Sequence, residues 1–266
     1  MAQLSALLNV MVQASLKAGR KLKRDFGEVE NLQVSLKGPA DFVSTADKES
    51  EKTLYEELKK ARPKWSFLLE EGGEIEGIDK QHLWIIDPLD GTTNFLHGIP
   101  NFAISIAAES QGQLQAAVVY NPITEELFTA ERGQGAYLND RRLRVAGRRN
   151  LSSCVIATGI PHIGLPEHGK FVLELAHFMG ETAGIRRMGA ASLDLAYVAA
   201  GRFDGFWERG LNPWDMAAGM LLIAEAGGYV SDLDGGNKIF ETGSILAGNE
   251  TIQKKMIAAL KKAKTK

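Results

Sequence analysis

Leu4, Leu7, Leu8, Met11, Ala14, Ala18 and Leu22 recur at intervals of three and four. That period predicts one long amphipathic helix from about Gln3 to Phe26. Lys37-Gly38-Pro39 breaks the period, and Asp47 is expected to open a second helix through Glu57 to Lys60. Trp65 to Leu69 reads as a strand carrying the acidic pair Glu70-Glu71 into a Gly72-Gly73 loop. Leu83 to Ile86 has the composition of a strand buried on both faces, and Pro88 is expected to end it, because proline cannot donate to a sheet ladder. Beyond Phe95, short runs at Phe102 to Ala108, Leu114 to Tyr120, Glu126 to Glu131 and Ala136 to Leu138 are separated by turn dipeptides, the signature of an antiparallel meander.

The texture changes after Leu151. Strands near Cys154 to Thr158, Ile185 to Met188, Phe203 to Glu208 and Ser244 to Gly248 alternate with helices near Pro166 to Gly180, Ser192 to Ala200, Pro213 to Ala226 and Glu250 to Lys262. This places a boundary near residues 145–151 inside a single domain spanning 1–266, with halves of about 1–148 and 149–266. No Ser/Gly/Pro-rich linker separates the halves, so they are expected to pack as one unit. The Lys-rich tail from Lys261 to Lys266 is expected to fray.

The densest chemistry lies in Trp84-Ile-Ile-Asp-Pro-Leu-Asp-Gly-Thr-Thr-Asn-Phe95. Asp87 stands at the carboxyl end of the apolar strand, and Asp90-Gly91-Thr92-Thr93 has the composition of a helix start with Asp90 as its cap. N–H groups there would face an anion. Two aspartates three apart across a proline turn can converge on one point, unlike the Asp-x-Asp of phosphatases that form an aspartyl-phosphate. Close carboxylates would repel a phosphate by roughly 3 kcal/mol per charge pair at about 5 Å and an effective dielectric near 20. A cation must intervene, and hard oxygen ligands select Mg²⁺, Mn²⁺ or Ca²⁺. Farther on, Asn212 can cap a helix, Pro213 suits its first position, and Asp215 falls in the first turn, where the dipole favours an ionised carboxylate.

Composition narrows the field. The 266 residues are 44% hydrophobic and 24% charged, as in an ordinary globular chain. Lysine and arginine number 31 against 33 acids, so no net field recruits nucleic acid; the local cluster Arg141, Arg142, Arg144, Arg148 and Arg149 reads as a solvated hairpin edge. Cys154 is the only cysteine, which excludes an intrachain disulfide, fits a reducing cytosol and suggests a buried strand residue. No run reaches the length of a membrane span, so a soluble cytoplasmic protein is expected. His82, His97, His162, His168 and His177 have no zinc-ligand spacing, and neither a Gly-x-Ser-x-Gly elbow nor a Walker loop occurs.

The Trp84 to Phe95 stretch resembles the core motif of the inositol monophosphatase family of metal-dependent sugar and inositol phosphatases. Asn212-Pro-Trp-Asp-Met-Ala-Ala-Gly219, running on to Glu225-Ala-Gly-Gly228, looks like that family's second motif. The resemblance covers nearly the whole chain and implies an α+β fold, a five-layer αβαβα sandwich. It implies a phosphomonoesterase hydrolysing inositol 1-phosphate by metal-activated water, with two or three Mg²⁺ ions, inhibition by Li⁺ and a homodimer. Carried over residue by residue, Glu70, Asp87 and the Leu89 carbonyl would hold one ion, and Asp87, Asp90 and Asp215 a second. Thr92, paired with Glu70 and supported by Asp47, would orient the water, and Gly91 and Thr92 N–H groups would cradle phosphate. Glu71 is expected to be solvated, and Lys37 is a candidate site-facing cation.

Gly189-Ala-Ala-Ser192 and Glu208 resemble the segments that contact the organic part of the substrate, with Ala191, Glu208, Asp90 and Asp215 as binding positions. A carboxylate at Glu208 can accept from two polyol hydroxyls. Arg186-Arg-Met-Gly189 and Leu193-Asp-Leu-Ala-Tyr-Val-Ala-Ala-Gly-Arg202 look like the bacterial branch. Fructose 1,6-bisphosphate, histidinol phosphate and a nucleotide 3′-phosphate remain alternative substrates. Some bacterial relatives act as partners of the transcription machinery, a non-catalytic alternative.

Overall fold

The structure, a computed structural model, describes residues 4–28, 34–38, 41–161, 163–164 and 166–263, with backbone only for 34–38 and 41–43. The side chains of Lys37, Asp41 and His162 and the tail residues 264–266 therefore lie outside the described residues.

Helix α1 spans Ala6–Phe26, capped by Ser5, whose Oγ accepts from the Leu8 N–H at 3.1 Å. Strands β1 (Val34–Gly38) and β2 (Asp41–Ser44) form a small antiparallel ladder. Helix α2 (Thr45–Ala61) begins two residues earlier than the sequence suggests, because Ser44 is its cap and Asp47 closes a capping box from the first turn. There follow β3 (Trp65–Leu69), β4 (Gly73–Ile75), β5 (Asp79–Asp90), the short α3 (Thr92–Leu96), β6 (Ala103–Ser110), β7 (Gln113–Asn121), β8 (Glu126–Glu131), β9 (Gly135–Leu138) and β10 (Arg141–Arg142). Together β3 to β10 make an eight-stranded sheet in which β6 to β10 form the expected antiparallel meander. Arg141 and Arg142 sit exposed on its two-residue edge strand, and Arg148 pairs with buried Asp204 at 3.1 Å.

The second half contributes β11 (Val155–Thr158), α4 (His168–Glu181), β12 (Gly184–Arg186), α5 (Ala191–Ala199), β13 (Gly205–Arg209), α6 (Pro213–Glu225), β14 (Tyr229–Ser231), α7 (Ile239–Thr242), β15 (Ser244–Gly248) and α8 (Glu250–Ala263). Its five strands run in the order β12-β11-β13-β15-β14, parallel across β12, β11 and β13 and antiparallel beyond.

Five layers result. Helices α1 and α2 pack through Met11, Leu22, Leu54 and Leu58 on one face of the large sheet. Helices α5 and α6, which are apolar nearly all round, lie between the two sheets and share one buried cluster with both. Helices α4 and α8 close the far face of the small sheet around Phe178, Trp207 and Met256. This is the αβαβα sandwich of the α+β class that the resemblance implied.

Candidate active site

Pro88 does not end its strand. β5 continues to Asp90, and its register against β6 pairs Asp87 with Ser105 but Asp90 with Ala103, so Pro88 and Leu89 together oppose Ile104. In a regular strand, residues three apart point to opposite faces. The extra residue is a bulge that cancels this alternation, and a bulge also tolerates a residue without an N–H. Leu89 N–H donates to Asp87 Oδ1 at 2.9 Å within it. As a result Asp87 and Asp90 converge, and with Asp215 they bring ligand oxygens within 4.8 Å of one another.

Asp90 does not cap its own helix either. The cap position of α3 is Gly91, at φ +94°. A Cβ there would be strained and would press on the Asn101 and Gly189 carbonyls at 3.1 and 3.2 Å. Asp90 Oδ2 instead accepts from the Ser192 N–H at 2.7 Å and the Ser192 hydroxyl at 2.5 Å, at the first turn of α5. That helix's N-terminal dipole favours negative charge at the carboxylate. Asn94 Nδ2 ties α3 to the same segment by donating to the Asn101 and Met188 carbonyls at 2.7 and 2.8 Å.

Fully buried Asp47 accepts at Oδ2 from the Ser44 N–H and hydroxyl, at 2.8 and 2.5 Å, and at Oδ1 from the Thr92 hydroxyl at 2.8 Å. The Leu89 carbonyl also lies 3.1 Å from Thr92 Oγ1. The capping box of α2 is therefore also the anchor of Thr92. Asp215, in the first turn of α6, accepts from the Asn212 N–H at 2.7 Å, and the Trp214 carbonyl is pinned by the Ser105 hydroxyl at 3.1 Å.

Glu70, Asp90, Gly91, Thr92, Ala191, Glu208 and Asp215 line a cavity of about 540 Å³, and Asp47 and Asp87 are not part of that lining. Glu71 is half-buried rather than solvated, with its N–H donating to Glu51 Oε2 at 2.8 Å. Burial, followed by the charge of Glu70, pushes Asp87 well above the usual carboxylate range. Burial raises Asp90 as well, against the opposing Ser192 hydrogen bonds. Burial and then Asp90 push Asp215 up to about 8, and burial and then Asp215 do the same to Glu208. An all-oxygen set so crowded that it retains protons fits a hard divalent cation, which would replace the protons.

This crowding has a measurable consequence in chelator. The folded protein holds protons on Asp215 and Glu208 up to about pH 8 that the unfolded chain releases near pH 4. Their contribution to stability is complete below about pH 4 and is lost as pH rises through about 8. The metal-free melting midpoint should therefore fall from about pH 5.5 to about pH 8.5, and fall less in Asp215→Asn. Equal slopes in calorimetric scans of the two proteins would contradict the crowding.

Two residues in the cavity were not singled out from sequence. Asp194 is 1% exposed, in the first turn of α5, and is held well above its ordinary value by burial and then Glu208. Arg187 opposes the upward shift of both acids. The signal for Asp194 was a lone acid within the apolar run Leu193 to Ala196.

A model of the inositol monophosphatase family matches residues 3–265. The inositol-1-monophosphatase of Rhizobium meliloti is 69% identical over 250 residues, covering 94% of each chain. The Nus factor SuhB of Escherichia coli K12 is 46% identical over 255 residues, covering 96% of each. The crystal structure of the extragenic suppressor protein suhB from Bartonella henselae superposes with a TM-score of 0.95 at 65% identity, over 97% of this chain and 99% of that one.

Proposed function

Since the chain belongs to the inositol monophosphatase family and is a phosphatase, we propose that it is a Mg²⁺-dependent phosphomonoesterase that hydrolyses inositol 1-phosphate to inositol and phosphate. The observation that carries this reading is the convergence of Asp87, Asp90 and Asp215 within 4.8 Å beside the Asp47-anchored Thr92.

Glu70, Asp87 and the Leu89 carbonyl would hold one Mg²⁺, and Asp87, Asp90 and Asp215 a second. When bound, the ions neutralise charge on the phosphate and on the leaving oxygen. With its hydroxyl proton directed at Asp47, Thr92 keeps oxygen lone pairs to accept from the attacking water. Glu70, on the same cavity wall, takes up the proton as the water attacks phosphorus. The bond from phosphorus to the inositol oxygen breaks, and that oxygen leaves as the alcohol with a proton from solvent water. Gly91 and Thr92 N–H groups steady the phosphate oxygens. Glu208 accepts from two ring hydroxyls, with Ala191 giving the ring room. No phosphoenzyme forms. Relative kcat/KM on inositol 1-phosphate, fructose 1,6-bisphosphate, histidinol phosphate and a nucleotide 3′-phosphate tests the substrate. A preference for any of the last three would keep the site and replace its substrate.

A homodimer is part of the proposal. The outward face of α4 presents Val172, Leu173 and Met179 at 58, 49 and 67% exposure, an apolar stripe that a second copy would cover. Val172→Glu/Met179→Glu should convert dimer to monomer in light scattering; an unchanged mass would place the interface elsewhere. We place the protein in the cytoplasm, in keeping with the buried Cys154 thiol, which burial pushes up to about 11. Among the described residues no helix is long and apolar enough to cross a membrane. The naming of the E. coli relative as a Nus factor favours a second role, association with the transcription machinery. If that role is the main one, Asp90→Asn should abolish turnover yet leave the cellular phenotype intact.

A further inference from the structure

Thr158, the last residue of β11, pairs in parallel register with Trp207 of β13. Its hydroxyl donates to the Trp207 carbonyl at 2.8 Å and lies 3.1 Å from the Gly159 carbonyl. The next residue along each strand is Gly159 and Glu208, so the two strand ends carry the pair out side by side into the cavity wall. A Cβ on Gly159 would fall 1.7 Å from Glu208 Oε1, 1.9 Å from its Cδ and 2.4 Å from Oε2. The whole carboxyl group thus occupies the space a side chain at 159 would fill. Gly159 has no left-handed φ, so its backbone is open to alanine and the requirement for glycine is one of space. Both residues also line a neighbouring cavity of about 640 Å³, so a displaced carboxyl has two ways to swing. Either one takes it out of the position it holds against Gly159.

We propose that Gly159 is the positioning residue for Glu208, and that the missing side chain at 159 sets selectivity for polyol phosphates over esters without hydroxyls. This rests on the reading of Glu208 as the group that accepts the polyol hydroxyls. Gly159→Ala leaves the carboxylates of the metal centre in place and moves only the acid that reads the alcohol. Discrimination between substrates should change more than turnover itself.

The test is kcat/KM on inositol 1-phosphate and on phenyl phosphate for the wild type, Gly159→Ala, Glu208→Asp and the double variant. The polyol-to-phenyl ratio should fall about tenfold in Gly159→Ala. In the Glu208→Asp background, where the shorter acid vacates the space, the same change should alter the ratio less than about twofold. An unchanged ratio in Gly159→Ala, or the same fall in both backgrounds, would overturn the inference while leaving the substrate reading intact. A wild type with no preference for the polyol ester would overturn both. Should Gly159→Ala not fold, recovery of folding in the double variant reports the same coupling as a melting temperature. A double variant that also fails to fold overturns it.

Discussion

Asp90→Asn is expected to lower kcat on inositol 1-phosphate at saturating Mg²⁺ by about a thousandfold, or about 4 kcal/mol of transition-state stabilisation. The asparagine keeps the shape and can still accept from the Ser192 N–H and hydroxyl, so the start of α5 stays in place. What goes is one charge of a set whose members raise one another's proton affinity. The same variant should melt no lower than wild type in chelator, because a like charge has left a buried cluster, and should gain less stability from Mg²⁺. A variant that loses activity and stability together, with its response to Mg²⁺ unchanged, would show that Asp90 acts only as the anchor of α5.

The second large effect is expected at Asp47, which does not line the cavity. Asp47→Ala removes the acceptor that fixes the Thr92 hydroxyl and should lower kcat by about a hundredfold or more. It also opens the capping box at Ser44, costing about 1–2 kcal/mol of stability. Thr92→Ala should show the kinetic loss without the stability loss of the cap. Because the two residues work as one unit, the double variant should be no slower than Asp47→Ala alone. Additive losses in kcat would separate the two roles and remove Asp47 from the water-orienting arrangement.

Much of this site was legible in the sequence because the acids sit at ends of elements whose composition announces them. Asn212-Pro213 marks the start of α6 and thereby places Asp215. Asp47, by contrast, reads from sequence as the opening of α2, and only the folded backbone puts Ser44 at the cap with Asp47 closing the box. The geometry at Pro88 was less legible. Proline excludes an ordinary ladder position, and the residues alone do not say whether the strand stops or bulges; the answer depends on the partner strand β6, where Asp87 finds Ser105 and Asp90 finds Ala103. The same limit applies to Asp90. A cap for the following helix and an acceptor for Ser192, 102 residues on, are both consistent with Asp-Gly-Thr, and tertiary packing chose the second. The Gly159–Glu208 contact depends wholly on which strand ends lie side by side. That is a property of the five-stranded sheet and not of any local run.

In the function proposed above, the carboxylates around Asp87, with Thr92 on its Asp47 anchor, act as a Mg²⁺-dependent phosphatase centre. The most direct measurement is phosphate release from inositol 1-phosphate by the wild type with Mg²⁺ and with chelator, using Asp90→Asn with Mg²⁺ as the blank. Turnover that requires Mg²⁺ and is lost in the variant is the predicted result; equal release in chelator, or full release by the variant, would contradict it.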